Sequence, residues 1–357
     1  MTVFPQPASD PRQAGAPDPL LELRDFGVSF PGRDGPVDVV HGIDLTLFHG
    51  EALGIVGESG CGKSVTWLAA LRLLGRGVAT RGAVRLQGTD LTRLGEREIA
   101  RIRGGRIGLI FQDPTSSLNP VQRIGTQLGE VLALHRGLRG AAARAEALRL
   151  LDRVGIADAP RRLGQYPHEF SGGMNQRVMI ALALAGQPEV LVADEPTTAL
   201  DATIQAQILD LIRDIRAETG MGLVLISHDL GVVADLCDRV AVMYAGRIVE
   251  TAPTAELLWR PRHPYARGLL AALPTLTGPR RRLTPIPGTV PSPEAMPEGC
   301  AFAPRCPIAV KACRSEVPAL TYAGQDRRAA CLRLAETALT DAALQPPAMS
   351  ALAEALS

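Results

Sequence analysis

Eight consecutive residues in the first quarter of the chain constrain its fold more than any other feature of the sequence. These residues are Gly57, Glu58, Ser59, Gly60, Cys61, Gly62, Lys63 and Ser64. They match the pattern G-x-x-x-x-G-K-[ST] in full, and they stand between a short apolar run, ALGIVG, and a helical stretch, VTWLAALRLL. A strand, a glycine-rich loop and a helix in this order open an α/β unit that binds phosphate.

The residue types in this phosphate loop suit a nucleotide. Glycines allow backbone N–H groups to converge on phosphate oxygens, and the helix N-terminus adds a partial positive charge. Lys63 is a compact point charge that fits between the β- and γ-phosphates, where the planar fork of an arginine would not. Lys63 and Lys311 are the only lysines among 38 basic residues, so a lysine kept here favours a nucleotide site over a chance glycine turn. Ser64 is the predicted Mg²⁺ ligand of the loop.

A second segment with nucleotide chemistry ends in two carboxylates. The run VLVAD at 190–194 is continuously apolar before its aspartate, which is typical of a strand buried on both faces. Such a strand delivers Asp194 and Glu195 to the carboxyl edge of a parallel sheet, where ligands of these sheets bind. We predict that Asp194 supports Mg²⁺ through water and that Glu195 orients and deprotonates an attacking water. The alternative is a capping pair before the next helix, which is weak beside a phosphate loop.

Ser171, Gly172 and Gly173 form a second candidate anion site, because they directly precede a strongly apolar helix. A serine and two glycines at a helix N-terminus can cradle an anion, although the same residues also make an ordinary helix start. Two such sites in one chain predict either two phosphates or one nucleotide that is shared between chains.

The composition excludes several classes of protein. Of the 357 residues, 46% are hydrophobic and 21% are charged, which is an ordinary globular balance with material for about two domains. The 38 basic and 37 acidic side chains create no net field towards nucleic acid or anionic lipid. The longest apolar runs fall far short of the roughly 20 residues of a membrane-spanning helix, and the N-terminus has no secretory pattern. We therefore expect a protein that is not exported and that would serve a membrane from its cytosolic side.

The order of the motifs resembles the ATP-binding subunit of an ABC transporter over about residues 20–255. The matching elements are the phosphate loop, IFQDP with Gln112, SGGMNQR with Ser171, the carboxylate pair, ALD with Asp201, and ISHD with His228. A helical insert lies between them in the expected place. Met174, where the commonest signature has Gln, resembles the peptide-importer branch.

The resemblance implies a role for each matched residue. Gln112 would sense the γ-phosphate and Mg²⁺, and His228 would contact the γ-phosphate and hold the geometry of the water. Ser171, Gly172 and Gly173 would contact ATP bound by the opposite subunit of a head-to-tail dimer, and Asp201 would communicate across that dimer. Phe30, at the end of the VSF strand, would either stack on adenine or pack in the core.

The C-terminal part narrows the resemblance. HPYARGLLAALP, IPGTVPSP and GCAFAPRCP, within about residues 261–331, resemble ATPase subunits of oligopeptide, dipeptide and nickel importers. Pro, Arg and Cys are dense there and periodicity is weak, so we expect a small separate extension.

Four cysteines of this extension need an explanation of their own: Cys300, Cys306, Cys313 and Cys331. Four thiols in a reducing compartment suggest a tetrahedral sulfur site. Zinc sites usually carry a C-x₂₋₄-C pair, which is lacking, whereas iron–sulfur sites tolerate irregular spacing. The alternatives are a [4Fe–4S] cluster, a zinc site and four buried thiols that pack a small domain. Cys61 and Cys237 are interpreted as bystanders.

The predicted fold is an α/β, RecA-like ATPase core with an antiparallel β subdomain, a helical insert and a cysteine-containing extension. We divide the chain into a disordered tail (1–19), a nucleotide-binding domain (20–255, with its helical part at about 113–186), the extension (256–332) and a C-terminal tail (333–357).

The predicted function is that of an ATPase that energises peptide import from the cytoplasmic face of the inner membrane. The resemblance implies two integral membrane permease subunits, a second homologous ATPase subunit and an external binding protein, without nucleic acid. One alternative is a non-transport ABC ATPase acting on ribosomes or DNA; the other is a scaffold or redox sensor that works through its C-terminal cysteines. Against the first, the chain has one cassette and no strongly basic arm; against the second, every catalytic position is filled.

Overall fold

The computed structural model describes residues 18–75, 77–113, 117–198, 200–272, 285–324 and 326–339. The strands are β1 Leu21–Gly32, β2 Gly35–Leu47, β3 Ala52–Val56, β4 Ala79–Leu86, β5 Thr89–Asp90, β6 Ile107–Ile110, β7 Val190–Asp194, β8 Gly222–Ile226, β9 Arg239–Tyr244, β10 Arg247–Pro253, β11 Thr321–Gly324 and β12 Arg327–Ala329. The helices are α1 Lys63–Ala70, α2 Glu96–Ile102, α3 Ile124–Arg136, α4 Gly140–Arg153, α5 Ala159–Arg162, α6 Gly172–Ala185, α7 Ala202–Thr219, α8 Leu230–Leu236, α9 Thr254–Trp259, α10 Pro264–Ala271 and α11 Leu334–Leu339. Most of both predicted tails lies outside the described residues, although α11 falls in the predicted C-terminal tail.

An antiparallel sheet with the strand order β2-β1-β4-β5 forms the first layer. Its long strands β1 and β2 pair from Leu21 with Leu47 to Gly32 with Gly35, around a tight turn. Alternate apolar side chains of these strands point inward, and they pack with Ile55 of β3 and Trp67 of α1 into one hydrophobic cluster. The predicted antiparallel subdomain is therefore confirmed.

The second sheet has the order β11-β12-β10-β9-β3-β8-β7-β6. The neighbours β9-β3-β8-β7-β6 are parallel, and the helices that connect them lie on its faces. Because β3 and β8 are buried at every position, their sequences are continuously apolar rather than alternating. The sheet delivers the carboxyl ends of four adjacent strands, in the order β3-β8-β7-β6, to one edge.

Helices α3 to α6 form the predicted helical insert between β6 and β7. Leu128 and Leu132 of α3 lie on one face at helical spacing, and they join Leu151 of α4 and Ile180 of α6 in the main hydrophobic cluster. A left-handed glycine, Gly137, ends α3. The insert is therefore held to the core by packing rather than by a β-sheet.

The C-terminal extension shares the second sheet and the main hydrophobic cluster with the rest of the chain, whereas its sequence texture predicted a separate unit. Strand β12 pairs with β10 through Ala329 opposite Glu250, and β11 extends the same sheet. Glu250 is fully buried and accepts hydrogen bonds from the backbone N–H groups of Arg262 and His263 at 2.9 and 2.7 Å. Phe302 packs in the main hydrophobic cluster. Local sequence could not reveal these contacts because they join residues far apart in the chain.

Candidate active site

The residues predicted to handle ATP meet at the carboxyl edge of the parallel strands. The phosphate loop follows β3, His228 follows β8, the pair Asp194 and Glu195 ends β7, and Gln112 follows β6. These strands are neighbours, so the four segments lie side by side. Two backbone hydrogen bonds join them, from Ser227 N–H to the Ile55 carbonyl at 3.1 Å and from Glu195 N–H to the Ile226 carbonyl at 2.9 Å.

The phosphate loop has the close packing that its glycines permit. A Cβ atom at Gly57 would lie 2.2 Å from the Met243 carbonyl oxygen, so only glycine fits there. Gly62 has a φ of 101° directly before α1, a conformation that other residues rarely adopt. Lys63 is 7% exposed, and its Nζ donates to the carbonyls of Gly57 and Glu58 at 2.7 and 3.1 Å. The loop thus places a cation beside its own backbone, at the start of α1.

Asp194 and Ser64 form an arrangement that fits Mg²⁺. The Ser64 hydroxyl hydrogen-bonds to the Asp194 carboxylate, while burial, the larger influence, raises the pKa of Asp194 above its usual value. The buried Oδ1 of Asp194 has no hydrogen-bond partner among the described residues. A carboxylate oxygen and a hydroxyl are hard donors of the type that Mg²⁺ prefers.

Glu195 is the point on which the other polar groups converge. Its Oε2 accepts hydrogen bonds from Gln112 Nε2 at 3.0 Å and from Thr198 Oγ1 at 2.9 Å, and its Oε1 lies 3.2 Å from His228 Nδ1. Its backbone has a φ of 48°, which is uncommon for a residue with a side chain and is often found at functional sites. The Glu195 side chain is 13% exposed and that of His228 is 61% exposed, so the histidine faces the open side of the edge.

Thr198 was not identified from the sequence. It follows Glu195 by three residues, and the same hydroxyl could serve as an ordinary loop or cap residue. The only sequence signal for Thr198 was its position in the segment DEPTT. Its role became visible only in the fold, where the Thr198 hydroxyl donates to the Glu195 carboxylate.

The predicted second anion site is a helix start in this chain. The Ser171 hydroxyl caps α6 by accepting from Met174 N–H at 3.4 Å, and Asp201 caps α7 by accepting from Ile204 N–H at 2.9 Å. A Cβ atom at Gly173 would lie 2.9 Å from the Ile204 side chain. The starts of α6 and α7 therefore pack together, and the contacts of these helix starts with a second subunit stay a prediction.

Two further predicted residues occupy the surroundings of the loop. Phe30 is half-buried and packs against the cluster beneath the antiparallel sheet, which is the core role weighed for it. Cys61 is buried within the phosphate loop, and burial raises the pKa of its thiol, as for a packed and unreactive cysteine.

The four C-terminal cysteines line one small cavity together with His263 and Phe302. All four are free thiols, and burial raises the pKa values of Cys300, Cys306 and Cys331. Within the ranges that the structure describes, no group of three or more His, Cys, Asp or Glu side chains has an arrangement that could hold a metal ion. The thiols thus match a sulfur site in type and location but not in arrangement, and the predicted iron–sulfur cluster is not supported by this geometry.

Two family models match the chain. One, described as "ABC transporter", matches residues 40–198, and the other, "Oligopeptide/dipeptide transporter, C-terminal region", matches residues 249–313. The first covers the phosphate loop, the helical insert and the carboxylate pair. The second covers the start of the extension, including three of the four cysteines.

Relatives and solved structures agree with these models. A "Putative peptide import ATP-binding protein" of Brucella melitensis is 49% identical over 333 residues, which are 90% of this chain and 98% of that protein. One of Brucella abortus with the same description is 50% identical over 307 residues, or 86% of this chain and 92% of that protein.

Among solved structures, the dimeric post-hydrolysis state of the cassette MJ0796 bound to ADP and phosphate has a TM-score of 0.59 and 26% identity, over 66% of this chain and 98% of that chain. The cbiO1 protein of Clostridium perfringens, part of the cbiONQ complex, has a TM-score of 0.58 and 26% identity, over 68% of this chain and 91% of its own. The family models and the relatives agree, and the chain belongs to the ATP-binding proteins of ABC transporters, in the family with an oligopeptide/dipeptide transporter C-terminal region.

Proposed function

We propose that the chain is the ATP-hydrolysing subunit of an ABC importer whose cargo is a dipeptide, an oligopeptide or a related ligand such as a nickel chelate. The observation that carries the ATPase proposal is the convergence of Gln112, Thr198 and His228 on Glu195, beside the phosphate loop. The peptide cargo is supported by the names of the relatives and by the family of the extension.

Hydrolysis at this edge follows from the placement of charge. Lys63 and the loop N–H groups hold the β- and γ-phosphates, and the Glu195 carboxylate takes the proton of the attacking water. Gln112 and Thr198 orient one oxygen of that carboxylate, while His228 holds the other and faces the γ-phosphate. Positioning and charge neutralisation, rather than a covalent intermediate, supply most of the rate.

Mg²⁺ and the second subunit complete the proposed site. Bound Mg²⁺ neutralises charge on the phosphate oxygens, and Ser64, Asp194 and Gln112 are the residues that would hold it. The Ser171 to Gly173 helix start and Asp201 would face ATP on the opposite subunit, so that two subunits enclose two nucleotides. We favour a homologous rather than identical second subunit.

The proposed partners are two integral membrane permease subunits, with an external binding protein selecting the cargo. No helix among the described residues has both the length and the apolar character to cross a membrane. We place the chain at the cytoplasmic face of the inner membrane. The helical insert supports a permease contact, because α3 and α4 border a groove of about 590 Å³ and Val121 nearby is 81% exposed.

For the cysteine cavity there are three alternatives, which experiment can distinguish: a [4Fe–4S] cluster, a zinc site or four packed thiols. The shared cavity supports a sulfur site, and the lack of a metal-holding arrangement among the described residues supports packed thiols. Anaerobic purification followed by iron, sulfide and zinc analysis separates them. Colourless, iron-free and zinc-free protein with intact folding would leave the packed thiols.

A pull-down tests the transport proposal. The tagged chain is purified in mild detergent from its own membranes, and the Lys63→Ala variant, which should still assemble, serves as the matched control. We expect two integral membrane proteins and a second ATPase to accompany it. Recovery of ribosomes or DNA instead, with the chain wholly free of membranes, would overturn the transport proposal in favour of a non-transport ATPase.

A further inference from the structure

One arginine of the C-terminal extension reaches into the phosphate loop. The guanidinium of Arg305 binds the carboxylate of Glu58 through two contacts, from Nη1 to Oε2 at 2.6 Å and from Nη2 to Oε1 at 3.0 Å. Glu58 is the second residue of the loop. Arg305 is only 7% exposed, so this ion pair is shielded from solvent on the arginine side. Two parallel bonds of this kind fix orientation as well as charge.

The extension holds the guanidinium in one position. Arg305 ends a 3-10 turn, Ala303–Arg305. Its Nε donates to the Pro287 carbonyl at 2.8 Å, and its Nη1 also donates to the Tyr244 hydroxyl at 3.3 Å. The rings of Tyr244 and Phe302 lie 5.7 and 5.9 Å from the guanidinium carbon. An arginine constrained in this way acts as a fixed charge rather than as a mobile surface side chain.

Two further contacts hold the backbone of the same loop residue. The N–H of Glu58 donates to the hydroxyl of Tyr265, a fully buried residue of α10, at 2.8 Å. The carbonyl of Glu58 accepts from Lys63 Nζ at 3.1 Å. The extension therefore holds the amide and the carboxylate of Glu58, while the catalytic lysine contacts its carbonyl.

The charge of Glu58 is unfavourable in a loop that receives a polyanion. A carboxylate close to phosphate oxygens repels them, and the repulsion is strongest where water is excluded. A paired carboxylate, held by a planar fork, presents little net charge and does not turn towards the phosphates. The loop thus needs a cation from outside its own sequence.

We propose that Arg305 is a positioning residue for ATP: it neutralises the Glu58 carboxylate and holds it away from the phosphates, so that the affinity of the site for ATP depends on the C-terminal extension. This inference rests on the proposed binding of ATP at the phosphate loop. It adds the extension to the nucleotide site and gives Glu58 a partner outside the motif.

The test compares full-length variants by calorimetric titration with Mg-ATP and Mg-ADP, with circular dichroism as a check of folding. Arg305→Gln should weaken ATP binding at least about tenfold and ADP binding less, because the repulsion grows with the charge of the nucleotide. The loss should shrink at high salt. Arg314→Gln removes the same charge from an exposed position in the extension and should bind ATP as the wild type does.

The decisive variant is Arg305→Gln combined with Glu58→Gln, which removes both charges. The double variant should recover most of the ATP affinity that Arg305→Gln loses, whereas a merely structural pair would leave it as weak as the single variant. Should Arg305→Gln fail to fold, Arg305→Lys keeps the charge but loses the planar fork, and should weaken ATP binding by less than the roughly tenfold expected for Arg305→Gln.

Three results would overturn the inference: Arg305→Gln with wild-type ATP affinity, a double variant no better than the single one, or Arg305→Lys as weak as a chain lacking the loop lysine. A wild-type chain that binds no ATP would instead overturn the proposed function together with this inference. The two failures are therefore distinguishable in one titration series.

Discussion

Glu58 is part of the phosphate loop, and its side chain and backbone N–H are bound by the C-terminal extension. The loop and the extension are nevertheless built from different kinds of contact. The loop is one continuous segment whose glycines and lysine act on neighbouring residues, such as Lys63 on Gly57. The extension depends on buried charges that join distant segments, such as Arg327 with Glu250 and Arg305 with Glu58. The difference shows that residues close together in the sequence determine where ATP binds. Ion pairs between distant segments determine which side chains lie next to the ATP site.

The largest effect is expected at the loop itself. Lys63→Ala removes the cation between the phosphates and should reduce ATP turnover to the assay background, measured as phosphate release by the purified chain. The other lysine, Lys311, is exposed in the extension and provides a matched control, since Lys311→Ala should turn over ATP normally. An equal loss of ATP turnover in both variants would contradict a specific role for Lys63 in the phosphate loop.

Glu195→Gln should separate binding from hydrolysis. The amide keeps the shape of the side chain but cannot take a proton, so turnover should fall at least about a hundredfold while ATP still binds. Glu189 lies just before β7, at the opposite end of the same strand, and Glu189→Gln should leave turnover unchanged. Normal hydrolysis by Glu195→Gln would remove Glu195 from its proposed role.

In the extension, the largest expected effect is on stability. Glu250→Gln places an amide against backbone N–H donors in a fully buried position, and should lower the free energy of unfolding by about 3 kcal/mol. Arg327 lies 3.5 Å from Glu250 and 3.8 Å from the exposed Glu256, so Glu256 is the control, and Glu256→Gln should change stability by less than about 0.5 kcal/mol. Thermal and denaturant unfolding measure the stability of both variants. An equal loss of stability in Glu250→Gln and Glu256→Gln would contradict a structural role for the buried Glu250 carboxylate.

A smaller effect is expected at the threonine that the fold turns onto Glu195. Thr198→Val keeps the shape but removes the donor to Oε2, so turnover should fall about fivefold, the equivalent of one hydrogen bond. ATP affinity should stay near the wild-type value, as measured by titration. Unchanged ATP turnover would contradict a role for Thr198 in orienting the Glu195 carboxylate.

The smallest effect is expected in the helical insert, where the half-buried Glu146 pairs with Arg136 and Arg149. Hydrogen bonds from Arg149 and Arg136 lower the pKa of Glu146 to about 2. Its ionised form therefore stabilises the fold above the ordinary glutamate pKa, and this contribution is lost as the pH falls from about 4.5 towards 2. Glu146→Gln should lower stability by about 1 kcal/mol or less at pH 7. The difference from the wild type should vanish near pH 2, and its persistence there would contradict an electrostatic origin.

The sequence was most informative where function lies in contiguous residues. The buried strand before Asp194 was predicted from its continuously apolar run, because that pattern reports burial on both faces, while the antiparallel subdomain and the helical insert were expected from the family resemblance. The positions of Lys63, Glu195 and His228 at one edge followed from motif order, because parallel strands place their carboxyl ends together. The separateness expected of the extension followed only from its composition, and composition does not report strand pairing.

The sequence by itself determined the phosphate loop, the carboxylate pair and the family, because these depend on neighbouring residues in the chain. Only the tertiary structure decided that Thr198 donates to Glu195, that β12 joins β10, that four cysteines share one cavity and that Arg305 neutralises Glu58. Arg305 and Glu58 are far apart in the chain, and Arg305 is one of 36 arginines with no sequence pattern that predicts its partner. Folding makes the pair by burying Arg305 against the half-buried Glu58, where the buried cation requires an anionic partner.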